Sequence, residues 1–100
     1  MLTSKQRAYL RSMANGLETI FHIGKSGVTP ELTDAVDNAL EARELVKLNI
    51  LDNCLMGTRE AAQIIAERTH SEVVQVIGNK FVLYRQAKKP SIELPKAKKD

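Results

Sequence analysis

One short glycine loop is the part of this sequence whose residue types and spacing best suit ligand chemistry. Its four residues are Gly24, Lys25, Ser26 and Gly27. An apolar, β-prone run precedes the loop, and Thr29 and Pro30 follow it as a helix N-cap and a first helical residue. Glycines let a backbone approach a ligand closely, and a helix N-terminus offers unpaired amides with a positive dipole end. The sequence therefore predicts a strand, a phosphate-binding loop and a helix.

A nucleoside triphosphate is not the phosphate that this loop predicts. A Walker-type loop requires glycine, four residues and then Gly-Lys-Ser/Thr. Residues 24–26 match the end of that pattern, but its first glycine would fall at Thr19, within the predicted strand. A Gly-x-x-Gly loop that clamps a nucleic-acid backbone needs only the residues present. A tight strand-to-helix turn without a ligand is the simpler explanation of an isolated Gly-x-x-Gly, so the loop alone does not decide between the two interpretations.

The distribution of charge favours a polyanionic partner. The net charge of +3 comes from 15 basic and 12 acidic residues. Residues 1–30 carry four basic residues and one acidic residue. Residues 31–79 carry four basic and nine acidic residues, and residues 80–100 carry seven basic and two acidic residues. A fold that brings both ends of the chain together has a basic face, which is the electrostatic signature of a nucleic-acid partner. An ordinary solvated surface with a lysine-rich tail is the alternative.

Length and composition limit the other classes of function. A chain of 100 residues, 43% of them apolar, indicates one soluble globular domain. No apolar run approaches the ~20 residues of a membrane span, and residues 1–5 begin no signal-peptide pattern. The single cysteine, Cys54, favours a reducing compartment, so we expect a cytoplasmic location. Nothing with ligand spacing surrounds His22 or His70, so we predict no metal site.

Hydrophobic periodicity predicts an α/β fold with the element order α-β-α-β-α-β-β. The predicted helices are 3–15, 30–43 and 59–68, and the predicted strands are 19–23, 45–51, 72–77 and 80–85. Thr3 with Gln6 matches a capping box, Thr58 is a candidate cap, and Gly78-Asn79 fits a type II′ hairpin turn. The β-α-β passages favour parallel neighbours and the last hairpin is antiparallel. We therefore predict a single compact domain with a four-stranded mixed sheet packed with helices, whose strand order does not follow from the sequence.

Several basic residues outside the loop are candidate RNA contacts. They are Lys5, Arg7 and Arg11 on the first helix, Lys47 on the second strand and Arg85 at the end of the last strand. Arg7 and Arg11 share a helix face, which must lie beside the loop if it is to contribute. Tyr84 next to Arg85 can stack on a base, although core packing explains this tyrosine equally well. Residues 87–100 are predicted to form a basic, partly disordered tail that adds non-specific affinity for RNA.

The second helix supports an alternative function as a protein-interaction adaptor. Its outward positions are acidic: Glu31, Asp34, Asp37, Glu41 and Glu44. An adaptor of this kind would bind a basic protein through the helix and would not depend on Lys25. An enzyme acting on RNA is a further alternative, but Cys54, His22 and His70 are scattered and supply no nucleophile with a neighbouring base.

Three stretches of the chain together resemble the YhbY-type CRM domain, the chloroplast RNA splicing and ribosome maturation family. They are the basic start of the first helix at 5–11, Ile-Gly-Lys-Ser-Gly-Val-Thr at 23–29, and the closing hairpin at 74–85 with its ending Ile-Glu-Leu-Pro at 92–95. They follow the family's order and spacing, and the resemblance covers residues 2–95. In two departures, Glu18-Thr19 replaces a frequent Lys-Pro and Asn49 replaces a frequent lysine, which reduces the positive charge near the predicted site.

The resemblance implies a fold and a function. It implies a compact α/β fold similar to the C-terminal domain of bacterial translation initiation factor three, with RNA binding, no catalytic residue and no cofactor. Residues 24–27 would clamp the RNA backbone, and Lys5, Arg7 and Arg11 would line the approach. We therefore expect a CRM domain over residues 1–86 that binds ribosomal RNA in precursors of the large subunit. We expect a monomer with no membrane association and no small-molecule substrate.

Overall fold

The computed structural model describes residues 2–95, which form one α/β domain. Its helices are α1 (Ser4–Ala14), α2 (Pro30–Arg43) and α3 (Thr58–Thr69), and its strands are β1 (Phe21–Ile23), β2 (Leu45–Ile50), β3 (Glu72–Ile77) and β4 (Lys80–Tyr84). The predicted element order and the mixed sheet of four strands are confirmed. None of the helices in this part of the chain is long and apolar enough to cross a membrane.

The sheet has the strand order β1-β2-β4-β3. β1 and β2 are parallel neighbours, and β4 is antiparallel to both β2 and β3. β2 and β3 are therefore parallel but not adjacent, because the hairpin places β4 between them. The prediction that each β-α-β passage gives parallel neighbours is thus correct for the first passage and wrong for the second.

Local capping chemistry explains where the helices begin. Thr3 Oγ1 accepts a hydrogen bond from Gln6 N at 3.1 Å, and Gln6 Oε1 accepts one from Thr3 N at 3.0 Å, which completes the predicted capping box. The hydroxyl of Thr29 caps α2 as predicted. Thr58, however, is the first residue of α3 rather than its cap. Gly57 already has the extended backbone that an N-cap requires, with φ −72° and ψ 158°, so the helix starts one residue earlier than predicted.

Helices cover both faces of the sheet, but not to the same extent. The larger core lies between the sheet and the pair α2 and α3, and it includes Val36, Leu40, Leu48, Ile65 and Phe81. The smaller core lies under α1, and it contains Leu10, Ala14, Leu45, Val74, Val82 and Tyr84. One helix of 11 residues covers this second face together with Ile92 and Leu94 of the C-terminal segment, and the rest of the face stays open to solvent.

The chain after β4 runs back over the domain as far as Pro95. The Glu44 carboxylate accepts hydrogen bonds from Ala87 N at 2.8 Å, Ser91 N at 2.8 Å and Ile92 N at 2.7 Å. Ile92 also packs against the smaller core. Much of the predicted tail is therefore anchored, whereas residues 96–100 lie outside the described residues. The predicted domain boundary at residue 86 stays a prediction.

The prediction that Glu44 lies on the exposed face of α2 is wrong, because this residue is fully buried. The helix ends at Arg43, and Glu44 has a φ of +69°, which turns the chain into β2 and ends the helical periodicity. Burial raises the pKa of this carboxyl, but the hydrogen bonds from Ala87, Ile92 and Ser91 together outweigh burial and lower the pKa below its ordinary value. Glu44 is therefore a charged anchor for the C-terminal segment.

Candidate functional site

The glycine loop forms a tight turn directly after β1. Gly27 N donates a hydrogen bond to Gly24 O at 3.0 Å, and the closed turn leaves Lys25 and Ser26 exposed at its centre. Gly27 has a φ of +69°, in the left-handed region that favours glycine. Gly24 fits closely against the next loop, because a methyl group on its Cα would lie 3.3 Å from Asn53 Oδ1. The turn thus favours glycine at position 27, the neighbouring loop favours a small residue at position 24, and the turn presents a cation and a hydroxyl to solvent.

The start of α2 offers less to an anion than the sequence predicts. Pro30 has no amide hydrogen, and the amide of Leu32 donates to Thr29 Oγ1 at 3.1 Å. Glu31 adds a carboxylate in the first turn, which opposes an anionic ligand. The amide of Gly27 is already used within the turn. The site therefore offers an anion the exposed groups of the loop itself more than a helix dipole.

Three segments converge at the same edge of the sheet. Leu51 N donates to Ile23 O at 2.8 Å, which joins the segment after β2 to the end of β1. Ile50 N donates to Asn79 O at 2.7 Å, which joins β2 to the turn of the β3–β4 hairpin. The three segments are residues 24–29, 51–57 and 78–79, and we call this edge the loop end.

A row of polar side chains leads to the loop end on the face that α1 covers in part. The strand register pairs His22 with Asn49 and Asn49 with Lys80, so the three side chains lie on one side of the sheet. His22 Nδ1 donates to Asn49 Oδ1, and both His22 and Lys80 are exposed. Lys80 has no local signal in the sequence that marks it as part of the site, because only the insertion of β4 beside β2 brings this lysine next to the strands that lead to the glycine loop.

Lys47 lies one row farther from the loop end and already has internal contacts. Its Nζ lies 3.4 Å from Ala14 O and 3.5 Å from Leu17 O. These carbonyls are at and just beyond the end of α1, where a cation also stabilises the helix dipole. Lys47 and Lys80 line a cavity of about 100 Å³ together with Gln75. The structure therefore places Lys47 near the loop end, in a partly structural role.

The basic residues of α1 do not lie beside the glycine loop. Arg7 Nη1 donates to Val73 O, and Arg7 Nη2 lies 3.7 Å from the carboxylate of Glu72. Glu72 begins β3 at the edge of the sheet opposite the loop end, so strand spacings put Arg7 roughly 20 Å from the loop. Lys5 is exposed and lies still farther along α1, whereas Arg11 is one helical turn closer to the loop end and half-buried.

Arg85 faces the other helical layer, away from the predicted site. Its guanidinium donates to Asp37 Oδ1 at 2.5 Å, to Asp37 O at 3.0 Å and to Thr69 O at 2.7 Å. A second carboxylate, that of Glu41, lies 3.5 Å away. Arg85 therefore connects β4 to α2 and to the end of α3, and two acidic side chains neutralise its charge.

The acidic face of α2 offers less to a basic protein than predicted. Asp37 and Glu41 are paired with Arg85, and Glu41 also accepts a hydrogen bond from Lys88 N at 2.9 Å. Glu44 is buried. Internal contacts thus engage three of the five carboxylates on which the adaptor hypothesis depends. Within residues 2–95, no group of three or more His, Cys, Asp or Glu side chains could hold a metal ion.

Comparisons with known proteins agree on one family. The model of the CRS1/YhbY (CRM) domain matches residues 2–85. The Bacillus subtilis protein named Probable RNA-binding protein YqeI is 44% identical over 96 residues, covering 95% of this chain and 100% of the relative. A Haemophilus influenzae protein named RNA-binding protein is 31% identical over 99 residues, covering 95% of this chain and 96% of the relative. The solution structure of SAV1595 from Staphylococcus aureus, described as a candidate RNA-binding protein, is similar with a TM-score of 0.80 and 46% identity, covering 95% of this chain and 100% of that chain. The chain therefore belongs to the CRS1/YhbY (CRM) domain family, as the resemblance of its three sequence stretches predicted.

Proposed function

We propose that this protein binds RNA at the loop end of its sheet and contacts the RNA backbone with the glycine loop. The observation that carries the proposal is the closed Gly24–Gly27 turn, which holds Lys25 and Ser26 exposed at its centre. The names of relatives that match nearly the whole chain support RNA as the ligand. The exposed Lys80 adds a second cation on the sheet face that leads to this edge.

The proposed mechanism is backbone binding by charge and hydrogen bonds. The ammonium of Lys25 pairs with one phosphate, and the Ser26 hydroxyl donates to a phosphate oxygen. Lys80 and Lys47 neutralise neighbouring phosphates from the open sheet face, and Arg11 lies at its border. If about three phosphates are neutralised on single-stranded RNA, log affinity falls against log salt with a slope near −2. Such a shallow slope implies that RNA shape or a partner in a ribosomal particle contributes to the choice of binding site.

The RNA that we propose is ribosomal RNA in precursors of the large ribosomal subunit. The resemblance to the YhbY-type CRM family supports this choice. The proposal is separable from RNA binding itself, because contacts to phosphates position a protein without reading sequence. Sedimentation of a tagged protein through a gradient tests it, since we expect the protein to travel with immature large subunits rather than with mature ribosomes or free messenger RNA.

A salt series with matched charge reversals tests the glycine loop. Fragments of large-subunit ribosomal RNA are titrated with the wild type, with Lys25→Glu and with Lys89→Glu, whose lysine is exposed on the C-terminal segment. We expect Lys25→Glu to lower affinity by about tenfold and to reduce the salt slope by about one. Lys89→Glu should change the affinity and the salt slope by much less. Equal binding by all three proteins, with the fold intact by circular dichroism, would overturn the role of the loop, and a larger loss for Lys89→Glu would move the contact to the tail.

A further inference from the structure

The segment between β2 and α3 presents exposed leucines next to the glycine loop. Leu55 is 100% exposed and Leu51 is 42% exposed. Leu51 lies against the loop, because a methyl group on Gly24 would be 3.5 Å from Leu51 Cδ1. An apolar side chain left in water contributes nothing to the hydrophobic stabilisation of the fold. The packing of the domain therefore does not explain why a leucine stands at position 55.

Leu55 is held in place by the residues on either side of it. Cys54 and Met56 pack against the larger core. Cys54 N donates a hydrogen bond to Leu51 O at 3.1 Å, and this turn keeps the Cα atoms of Leu51 and Cys54 within roughly 7 Å of each other. The side chains thus alternate inward, outward and inward. Leu55 projects from this anchored loop, one residue after the turn that Leu51 begins, which suits it to meet a ligand at a fixed position.

Asn53 adds a polar group at the same place. Its side chain is exposed, with Oδ1 at 3.3 Å and Nδ2 at 3.9 Å from the position that a Cβ on Gly24 would occupy. A carboxamide both donates and accepts hydrogen bonds, so it can pair with the edge of a nucleobase. Lys25 and Ser26 follow Gly24 directly. One small area therefore combines phosphate-binding groups, a carboxamide and exposed apolar surface.

We propose that residues 51–55 form a nucleobase-binding site beside the glycine loop. Leu51 and Leu55 contact the face of one base, and Asn53 hydrogen bonds to its edge. This inference rests on the proposed RNA-binding function and restricts its substrate. A base can lie against a side chain in this way only when it is unstacked and unpaired, so the ligand is single-stranded RNA in a loop, a bulge or an end.

Charge complementarity favours RNA over a protein as the occupant of this apolar surface. Lys25 lies in the glycine loop beside this site, and Lys80 lies on the sheet face that leads to the loop end. Asp52 is the acidic side chain within residues 51–55, and it disfavours a phosphate at its own position. The phosphate therefore belongs on the Lys25 side of Gly24, with its base directed toward Leu51 and Leu55.

The test compares single-stranded and paired RNA with matched leucine variants. The probes are a short single-stranded oligouridylate and a blunt RNA duplex of the same length. We expect the wild type to prefer the single strand by about tenfold, and Leu55→Ser to lose about fivefold in single-strand affinity with no change for the duplex. Leu17→Ser is the control, because Leu17 is 37% exposed, lies beside the start of β2, and meets Lys47 through its backbone carbonyl, which the substitution keeps. The RNA affinity of Leu17→Ser should match that of the wild type.

The outcomes distinguish a failure of the nucleobase site from a failure of the proposed RNA-binding function. If the wild type binds both probes equally and Leu55→Ser changes neither, the nucleobase site is wrong while RNA binding stands. If the wild type binds no RNA, the proposed function and the inference both fail. Thermal unfolding of Leu55→Ser should match the wild type, since the side chain is fully exposed, and Leu55→Ala provides a second variant with the same expected binding loss. A loss that appears only together with unfolding would make Leu55 structural and overturn the inference.

Discussion

The two edges of the sheet use the same kinds of side chain in opposite ways. At the edge that we call the closed end, Glu44, Arg7 and Arg85 are each bonded to backbone or side-chain partners within the domain. The closed end comprises residues 43–46, 69–74 and 84–95. At the loop end, Lys25 and Asn53 are exposed. One edge thus fixes the chain to itself, and the other leaves charge and hydrogen-bonding groups available to a ligand.

The partners that surround a charged residue thus decide its role. Arg7, Arg85 and Lys25 were equivalent candidates by residue type. The structure separates them, because carboxylates and carbonyls already surround the two arginines. A cation bound internally stabilises the domain, whereas a solvated cation at an exposed turn can exchange its counterions for phosphates.

The largest expected effect comes from the carboxylate that anchors the closed end. Glu44→Ala leaves the amides of Ala87, Ser91 and Ile92 without their acceptor, so we expect the free energy of unfolding to fall by about 3 kcal/mol. Urea unfolding measures this loss. Asp34→Ala removes an exposed carboxylate from the same helix and should change stability by less than about 0.5 kcal/mol. RNA affinity should stay at the wild-type value in both, and a parallel loss of affinity would show that the two edges are coupled.

The pH dependence of stability gives a second test of the closed end. The pKa of Glu44 is lowered in the folded protein, so its carboxylate stabilises the fold above the ordinary pKa of about 4.3. That contribution is lost as the pH falls through the lowered pKa. Burial and then the charge of Glu44 raise the pKa of Tyr84, so its contribution is present below about pH 10 and lost as the pH rises further. Urea unfolding across pH should therefore show a loss of stability at acid pH and another at alkaline pH. Glu44→Gln should reduce the loss at acid pH.

A crossed pair of substitutions tests the contrast between the edges directly. Arg85→Ala removes the contacts to Asp37, Glu41 and Thr69 and should cost about 2 kcal/mol of stability, with RNA affinity within about twofold. Lys25→Ala should do the reverse, with stability unchanged and RNA affinity lowered by about fivefold. Thermal unfolding and RNA titration are measured on both variants. A loss of RNA affinity in Arg85→Ala that is as large as in Lys25→Ala would contradict the assignment of Arg85 to structure.

The parts of the fold that depend on neighbours in the sequence were predictable. Periodicity gave the type and order of the elements, and the capping residues Thr3 and Thr29 located two helix starts. The turn at Gly78 has the predicted positive φ, at +58°. These features depend on interactions within a few residues of the chain, and side-chain chemistry at those positions is sufficient to specify them.

The parts that depend on pairing between distant strands were not predictable. No local signal places β4 between β2 and β3, and without that placement Lys80 has no relation to the glycine loop. The burial of Glu44 likewise follows from the turn out of α2 and from the return of the C-terminal segment, both of which a helical wheel ignores. The candidate site was therefore predictable at the loop, residues 24–27, and at Lys47, but not at Lys80 or in the segment 51–57.

The smallest expected effect concerns the start of α3, at the loop end. Gly57 is an N-cap without a side-chain hydrogen bond, its φ is −72°, and a methyl group there would meet nothing within 4 Å. Gly57→Ser therefore adds a cap without strain, and we expect a gain of about 0.5 kcal/mol, measured as a Tm higher by roughly 2–4 °C. Gly57→Ala should give no such gain, because alanine cannot cap.

The RNA affinity of Gly57→Ser shows whether the loop end moves when RNA binds. If the segment 51–57 is already arranged for its ligand, a firmer helix start leaves the affinity for single-stranded RNA unchanged. A lower affinity in this more stable variant would mean that the segment has to move when RNA binds. The loop end would then differ from the closed end in mobility as well as in unpaired charge, and Leu55 would reach its base by a rearrangement of the loop.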